Sequence, residues 1–451
     1  MPNKVLKSFP VRKRVAYAAG IMGWSVMFNL IGVMLVYFYL PPEGKGLNML
    51  ISQVAVFGVF NLMAIITASG RLVDAFYDPF IGRKSDTTKS KHGRRIPFML
   101  YSILPSTVFC ILIFFPPLHS VSTVNAVWLI VVLSLFFVAT TTYIIPYNAL
   151  LPELATTNKQ RVRLSSYQQA GFVIGIVISS FTNNLADLFQ NSLHLSSRSV
   201  AVQYAVIVMA IVAGILMLVP VLSINEKEYS HSVPSTMPLM KALKESLKNR
   251  NFIFFLIAYF SYFMSLNLIT NGLMYDVTVL ASLPESYGFR FMGFMVLLSL
   301  LFYPLVNAIV RRTGEKKLMI ISFFILAVAF TGVSSVGKLP IDPMWQLFIL
   351  LAVAAFPAAA LGILPNAILA DIVDDDVKAT GDSKEGTYFA VNYFAAKLGQ
   401  TFGIALFAAL TIYGKDPGHD LGLRLTGVCG FVLCLFAGVA FTGFKEKRKS
   451  K

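Results

Sequence analysis

Charged side chains are scarce in this sequence. Asp, Glu, Lys and Arg make up 13% of the 451 residues, against roughly 25% in an ordinary soluble domain. Hydrophobic residues reach 56%, and the mean hydropathy is +0.69. These values exclude a soluble globular domain, so we expect a polytopic membrane protein.

Cysteine is scarce as well. Cys110, Cys429 and Cys434 all lie in apolar runs and form no CxxC pair. We therefore expect buried free thiols, with neither a disulfide framework nor a metal pair.

The basic start of the chain, MPNKVLKSFPVRKR, is not followed by a small-residue cleavage site, and we expect no removable signal peptide.

Signatures of catalysis are missing. There is no HExxH motif, and all five histidines fall in predicted loops: His92, His119, His194, His231 and His419. The stretch GVSSVGKL, residues 332–339, is similar to a phosphate loop but lacks the Ser or Thr after its lysine and follows a hydrophobic helix. We expect no enzymatic activity and no cofactor.

Long apolar segments dominate the chain. A helix that crosses a bilayer needs about 20 apolar residues. Twelve segments meet this requirement: 14–40, 50–82, 95–117, 121–151, 161–186, 199–224, 251–279, 288–310, 317–337, 343–373, 384–413 and 420–444. The longest gap, 225–250, is polar and contains two prolines. The sequence thus predicts an all-α membrane protein with two six-helix groups, 1–224 and 251–451, joined by a linker.

Lys and Arg are distributed unevenly among the loops. The N-terminus carries five, the loop after the second span six, the linker five and the C-terminal tail five. The loops on the opposite side carry only Lys45, Arg198, Arg290, Lys338, Lys415 and Arg424. This asymmetry predicts that both termini and the linker are cytoplasmic. The net charge of +16 therefore reflects topology, and we expect no nucleic-acid partner.

The six-plus-six layout is typical of major facilitator transporters, which are built from repeats. The two halves also have similar turns at equivalent places. GRKSDTTKSKHGRR lies between spans 2 and 3, and RRTGEKK lies between spans 8 and 9. A glycine with several basic residues at matching turns indicates an internal repeat.

Three charged residues share one face of the second span. At 100° per residue, Arg71, Asp74 and Asp78 project within an arc of about 60°. One arginine balances only one carboxylate, and a buried unpaired carboxylate is costly. A bound Na⁺ or H⁺ would neutralise the second acid, so the pattern predicts a cation site. The alternative is a purely structural ion pair between Arg71 and Asp74.

Two further charges lie inside predicted spans. Lys397, in the eleventh span, has no acid in its own helix, so Asp74 or Asp78 is its expected partner. The alternative is that Lys397 snorkels to the membrane interface. Asp276, in the seventh span, is a second candidate charge partner, near the outer mouth.

Three segments carry a resemblance to a known family. GRLVDAFYDPFIGRKSDTTKSKHGRRIP resembles helix 2 and loop 2–3 of the glycoside–pentoside–hexuronide:cation symporters, the family of melibiose permease. IPYNALLPELATTNKQRVRLSSYQQAG and ADIVDDDVKATGDSKEGTYFAVNYFAAKLGQ resemble two further segments of that family. The resemblance implies the major facilitator fold, two six-helix bundles related by pseudo-two-fold symmetry.

The resemblance also implies roles for individual residues. Asp74 and Asp78 would form the cation site, and would be the metal ligands if the ion is Na⁺, with Thr141 and Lys397 close by. Tyr77 stands where melibiose permease has an asparagine that binds the cation. That difference weakens the case for Na⁺ and leaves H⁺ open.

The galactoside-binding residues of melibiose permease are changed. Its acids in helices 1 and 4 align near Ser25 and with Ile144, its helix 5 arginine with Gln169, and its helix 11 glutamine with Asn392. We expect a sugar, glycoside or uronide to be bound instead by polar side chains: Ser25, Asn29, Asn148, Gln168, Gln169, Asn271 and Asn392. Each of these is open to another interpretation, an interhelical hydrogen bond. Loss of the acids would also suit a lysolipid-like amphiphile.

Two charged segments are expected on the cytoplasmic side. The loop SDTTKSKHGRR and the acidic run DIVDDD would latch the two halves, or would be two solvated clusters. The latch candidates are Asp86, Arg94, Arg95, Asp371 and Asp374. We expect a monomeric carrier of a small solute, surrounded by lipid of the cell inner (plasma) membrane.

The replacement of two acids generates a prediction for binding. A carboxylate forms charge-assisted hydrogen bonds to sugar hydroxyls worth roughly 1.5 to 3 kcal/mol each. With Ser25 and Ile144 in their places, melibiose should bind the purified protein at least about tenfold more weakly than it binds a carrier that has both acids. Equally tight melibiose binding in a titration would show that the pocket is wrongly mapped.

Overall fold

The computed structural model describes residues 9–41, 48–52, 55–56, 60–91, 93–155, 157–195, 197–229, 239–284, 286–382, 384–411, 413–414 and 417–445. Basic residues in 1–8, 42–47 and 446–451, together with His231, lie outside these ranges. The side chain of Arg71 also lies outside the described part of the structure.

Helices account for most of the described residues. The first half contains α1 (Val11–Tyr39), α2 (Leu62–Thr87), α3 (Ile96–Leu112), α4 (Thr123–Leu154), α5 (Asn158–Ser180), α6 (Thr182–Ser192) and α7 (Arg198–Ser223). The linker region contains α8 (Glu226–Tyr229) and α9 (Leu239–Ser246). The second half contains α10 (Arg250–Tyr275), α11 (Ser286–Thr313), α12 (Glu315–Ser334), α13 (Pro343–Thr380), α14 (Glu385–Thr411) and α15 (Leu421–Thr442).

The long helices follow the predicted spans. Within the described residues, ten helices are long and apolar enough to cross a membrane by length and composition. The helix α3 is apolar but shorter, with 17 residues. Several helices begin at the caps that the sequence provides, since Ser122, Asn249 and Asp342 each accept a hydrogen bond from the first turn of α4, α10 and α13.

The second predicted span begins later than expected. Two short antiparallel strands, β1 (Ala55–Val56) and β2 (Phe60–Asn61), precede α2, which starts only at Leu62. The predicted helical start at residue 50 is therefore wrong. Residues 51–56 are rich in β-branched side chains and are followed by Gly58, a composition that favours extended backbone over helix.

Two other spans are interrupted. The fifth breaks at Phe181, between α5 and α6, where the Thr182 hydroxyl donates to the Ser179 carbonyl at 2.6 Å. Such side-chain bonds to the preceding turn often bend helices. The seventh ends in a π-helical turn, Asp276–Leu280, in which the Ala281 N–H donates to the Asp276 carbonyl at 2.9 Å.

The chain folds as two compact units. The first comprises Met1–Thr156, Tyr167–Leu239 and Asp382–Ala390. The second comprises Thr157–Ser166, Met240–Gly381 and Val391–Lys451. Consequently α5 and α14 each contribute residues to both units. The division of the sequence at the linker, into 1–224 and 251–451, stays a prediction.

The first unit has a core of stacked tyrosines. Tyr17 on α1 donates its hydroxyl to the Tyr147 carbonyl at 3.0 Å, and Tyr147 on α4 donates to the Tyr17 carbonyl at 2.7 Å. Their rings stack with centroids 4.3 Å apart. Tyr143 extends the stack and donates to the Met217 carbonyl of α7 at 2.9 Å. These bonds fix α4 against α1 and α7, and α2 packs on another face of α4.

In the second unit, α12 and α10 pack on α15, and α13 packs on α11 and α12. A buried apolar cluster joins the end of α10 to α11, α13, α14 and α15: Leu268, Val277, Leu280, Phe291, Leu347, Leu351, Phe407, Leu410 and Leu423.

Both units contain the same type of helix contact, in which two glycines of one helix pack on backbone carbonyls of another, and we call this contact the glycine seam. On α5, a Cβ at Gly175 would lie 2.5 Å from the Met22 carbonyl oxygen of α1, and Gly171 packs on the Ala18 carbonyl. On α14, Cβ atoms at Gly399 and Gly403 would lie 2.6 Å from the Phe260 and Met264 carbonyl oxygens of α10. In both seams the glycines are four residues apart and so are their carbonyl partners. This correspondence supports an internal repeat.

The glycine seam predicts that alanine destabilises the protein at a glycine inside the seam but not at a glycine outside it. Gly175→Ala forces its Cβ against backbone, and overpacking of this kind costs about 1–3 kcal/mol. Gly32→Ala on α1 is the control, because a Cβ there meets nothing within 4 Å and alanine is the better helix former. Thermal unfolding of the purified protein should show a lower Tm for Gly175→Ala only. Equal Tm values for the two variants would contradict the seam.

Candidate functional site

The two predicted cation-site acids are buried in the first unit. Asp74 and Asp78 are 4% and 0% exposed and lie one turn apart on α2. The hydroxyl of Thr141, on α4, donates a hydrogen bond to Asp74. The two helices approach closely at Gly70, where a Cβ would lie 2.9 Å from the Phe137 ring. Close packing of α2 on α4 thus brings Thr141 to the carboxylate, as the resemblance implied.

Tyr77 makes a parallel contact. Its hydroxyl lies 3.1 Å from the hydroxyl of Thr142, the residue next to Thr141 on α4. The Tyr77 phenol is therefore hydrogen-bonded to α4. In the described part of the chain, no three His, Cys, Asp or Glu side chains are placed to hold a metal ion together.

Lys397 lies on the part of α14 that belongs to the second unit and is half-buried. Its predicted pairing with Asp74 or Asp78 stays a prediction, as does the pairing of Arg71. Asp276, in the π-helical turn, is buried, and its Oδ1 atom has no hydrogen-bond partner among the described residues. π-helical turns are frequent at functional sites, but the role of Asp276 as a charge partner also stays a prediction.

In the first unit, four of the predicted substrate-binding side chains make hydrogen bonds: Ser25, Asn29, Asn148 and Gln168. Ser25 donates to the Phe172 carbonyl of α5 at 2.7 Å, and Asn29 donates to the Ser25 carbonyl at 2.9 Å. Gln168, on α5, donates to the Asn148 side chain of α4. Ser25, Asn148 and Gln168 therefore join neighbouring helices through hydrogen bonds.

The amides of the second unit differ in exposure. Asn271 on α10 is exposed and donates to the Asn267 carbonyl at 2.7 Å. Asn392 on α14 is buried and hydrogen-bonds to the Tyr259 hydroxyl of α10. Its Oδ1 has no partner among the described residues, which leaves one acceptor for a further hydroxyl or amide group.

Measured from the glycine seams, several of the predicted site residues occupy equivalent positions in the two halves. Asn29 follows Met22 by seven residues, and Asn271 follows Met264 by seven. Gln169, half-buried on α5, precedes Gly171 by two residues, as Lys397 precedes Gly399. The repeat thus has matched asparagines on α1 and α10, but an uncharged amide on α5 where α14 has a lysine.

A buried ionic cluster lies where α2 ends and α3 begins. We call it the arginine cluster: Asp86, Arg94, Arg95, Glu153 and Glu385. Arg94 contacts Glu153 at 2.7 Å and Glu385 at 3.3 Å. Arg95 contacts Asp86 at 2.7 Å, Glu385 at 3.1 Å and Glu153 at 3.3 Å. All five side chains are nearly inaccessible to water, so each charge depends on its partners.

Asp86 also binds the start of α14. Its carboxylate accepts the N–H groups of Gly386 at 2.8 Å and Thr387 at 2.9 Å, and the Thr387 hydroxyl at 3.0 Å. An acid at this position satisfies N–H groups that a first helical turn leaves without intrahelical partners. The backbone can approach because Gly386 faces Gly82 of α2, where a Cβ on either would lie 2.5 Å from the other's carbonyl oxygen.

A second ionic cluster lies in the second unit. Arg161, on the first part of α5, pairs with Asp371 and contacts Asp374 at 3.2 Å. Asn158 donates to Glu315 and to Asp371, both at 2.5 Å. The two charged segments thus take part in separate clusters, each within one unit, and their role as a latch stays a prediction. The loop arginines bind Glu153 and Glu385, whereas the acidic run binds Arg161.

Glu153, Glu385 and Arg161 were not expected from the sequence. A repeat signal could have found two members of these clusters. NALLPE, residues 148–153, corresponds to NAILAD, residues 366–371, so that Glu153 and Asp371 occupy the same place in the two halves. Each of these acids pairs with an arginine.

Comparison with known proteins places the chain in a family. The family model described as MFS/sugar transport protein matches residues 16–417. An uncharacterized symporter of Synechocystis sp. is 22% identical, over 91% of this chain and 88% of the relative. The isoprimeverose transporter of Lactiplantibacillus pentosus is 23% identical, over 88% of this chain and 79% of the relative.

A solved structure shows the same fold. The MFS proton:xylose symporter XylE, bound to 6-bromo-6-deoxy-D-glucose, matches with a TM-score of 0.65 over 94% of each chain at 14% identity. The major facilitator fold confirms the prediction of an all-α, twelve-helix membrane protein. Because the family model covers most of its length, the chain belongs to the MFS/sugar transport protein family.

Proposed function

We propose that this protein is a cation-coupled symporter of a sugar, glycoside or uronide that works by alternating access. The observation that carries this proposal is the pair of buried carboxylates, Asp74 and Asp78, on one face of α2. A carboxylate removed from water must be neutralised. A transported cation would do this reversibly, whereas a fixed ion pair would not. The name of the isoprimeverose relative supports a glycoside as the substrate.

We infer that the coupling ion is H⁺. A hard metal cation takes several oxygen ligands at once. Here the Tyr77 hydroxyl is hydrogen-bonded to Thr142, and the Thr141 hydroxyl is directed to Asp74. A proton needs only one carboxylate oxygen, and the bond from Thr141 to Asp74 would orient that oxygen.

We further infer that Lys397 balances the acids in the empty carrier. Neutralisation by the coupling ion would then release the lysine, and the loaded carrier would hold no uncompensated charge when its two bundles rock. The arginine cluster and the Arg161 cluster would act as cytoplasmic gates, with both termini and the linker on the same side. Each cluster would break and reform once in each cycle.

Neutral substitutions of the acids test coupling. Asp74→Asn or Asp78→Asn should abolish concentrative uptake into proteoliposomes, because a carboxamide cannot carry a proton at neutral pH. Exchange of substrate across the membrane should persist. Asp187→Asn is the matched control, since this exposed acid pairs with Arg198 on the first unit and lies outside the proposed cation site, so its loss should leave accumulation unchanged. Accumulation at the wild-type level by either α2 variant would place the cation site elsewhere.

Removal of the lysine tests charge balance. Lys397→Ala should leave the α2 acids without their cation in the empty carrier, so that they hold protons more tightly. The pH at which uptake is half-maximal should then rise, and net transport should be lost or uncoupled. A normal pH profile with normal transport would mean that Lys397 only snorkels.

Solute accumulation under an imposed pH or Na⁺ gradient tests the proposed function itself. Purified protein in proteoliposomes should accumulate at least one of isoprimeverose, raffinose and methyl β-D-glucuronide when a pH gradient is imposed. A Na⁺ gradient applied alone should have no effect. Accumulation driven only by Na⁺ would contradict the inferred ion, and uptake of lysophosphatidylcholine without any of the sugars would contradict the substrate class.

A further inference from the structure

The first turn of the linker is bound to the start of α3. Glu226, the first residue of α8, accepts the backbone N–H of Arg94 at 2.6 Å, of Arg95 at 2.8 Å and of Ile96 at 3.2 Å. These N–H groups belong to the beginning of a helix, where they have no intrahelical acceptor. The carboxylate of the linker therefore completes the N-terminus of α3.

The site is shaped for this carboxylate. Gly93 has φ +106°, a conformation that side chains disfavour, and a Cβ there would lie 2.5 Å from the Glu226 carboxyl carbon. Glu226 is only 2% exposed. Burial raises the pKa of the Glu226 carboxyl, the Glu153 carboxylate raises it further, and the Arg94 and Arg95 N–H groups lower it.

The same short helix is attached to α1. Lys13 donates to the Tyr229 hydroxyl at 2.9 Å and lies 3.3 Å from the Glu228 carboxylate. The Tyr229 ring also packs edge-on against Phe9, with centroids 5.2 Å apart. Since α8 is held on two sides, the position of Glu226 is fixed by α1 as well as by α3.

The backbone that Glu226 holds carries the side chains of the arginine cluster. Arg94 and Arg95 each give one N–H to Glu226 and direct their guanidinium groups to Glu153 and Glu385. Arg95 also contacts Asp86, which in turn binds the N–H groups of Gly386 and Thr387. An unbroken series of hydrogen bonds thus leads from the linker to the first turn of α14.

We propose that α8 is part of the gate and that Glu226 is the residue that positions Arg94 and Arg95 in the arginine cluster. This inference rests on the proposed gating function of that cluster. Loss of the Glu226 hydrogen bonds leaves the backbone of both arginines free to move. Their contacts with Glu385 and Asp86 then weaken, and the first turn of α14 becomes less stable. The linker is then a working part of the transporter, since its first turn sets how firmly the gate closes.

Hydrogen–deuterium exchange on the purified full-length protein tests this series of bonds without any substrate. Two variants release the carboxylate differently. Glu226→Gln removes the charge but keeps the shape, and Gly93→Ala keeps the charge but displaces the carboxyl group. Glu245→Gln is the control, because this acid lies further along the linker, on α9, and pairs there with the exposed Lys248.

In both test variants, exchange at the amides of residues 94–96 should accelerate about tenfold or more, as expected for a lost charge-assisted hydrogen bond. The decisive amides are those of Gly386 and Thr387, which do not touch Glu226. Their exchange should accelerate as well, while the amides of Tyr143 and Tyr147 in α4 stay protected. Glu245→Gln should leave the exchange of residues 386–387 unchanged. Faster exchange confined to residues 94–96 would overturn the inference and make Glu226 a local helix cap.

Transport adds a second readout. A gating residue far from the substrate should change the maximal uptake rate while KM stays within about twofold, and Glu226→Asp should restore part of the rate. A changed KM with an unchanged rate would contradict a gating role. If the exchange results hold but the wild-type protein transports no sugar of the panel, the proposed function fails while the connection from linker to cluster stands.

Discussion

Burial of charge in an apolar chain is the constraint on which this structure depends. A carboxylate or guanidinium group that leaves water is stabilised only by close, well-oriented partners. Asp74 has the Thr141 hydroxyl, Arg95 has three acids, and Asp371 has Arg161. The pairings of Arg95 and Asp371 lie near helix ends and join segments that are distant in the sequence. Positions 382–390 group with the first unit, and Asp86 of that unit binds the start of α14.

The two halves share the same glycine seams but carry different charged and polar side chains at equivalent positions. The glycine seams of α5 on α1 and of α14 on α10 have the same spacing, which makes positions comparable between units. At one such pair the first half has Gln169 and the second has Lys397, while the buried acids of the proposed cation site lie only on α2. A repeat with opposite charges in its two halves would give a carrier whose charge balance depends on the bound ion. This is the physical basis of the proposed coupling.

The spans and the shared face of Asp74 and Asp78 could be predicted because hydrophobicity and helical periodicity are local properties of the sequence. Thr141 followed from family resemblance, and α2–α4 packing places it at Asp74. The start of α2 was missed because an apolar, β-branched segment looks like a span by composition. The partners of Arg94 and Arg95 were missed because ion pairs between distant helices depend on packing. Glu226 lies in the polar linker, and no sequence pattern there indicates its three hydrogen bonds to the start of α3.

If the α2 acids carry the coupling proton, each substrate molecule that enters must bring a proton with it, and this movement can be measured. De-energised proteoliposomes in weakly buffered medium are given isoprimeverose, raffinose or methyl β-D-glucuronide, and the external pH is recorded. The wild-type protein should make the medium more alkaline as substrate enters. Asp78→Asn should show no pH change, although it still exchanges substrate. Substrate entry without proton movement in the wild type, or undiminished proton movement in Asp78→Asn, would contradict proton coupling through the α2 acids.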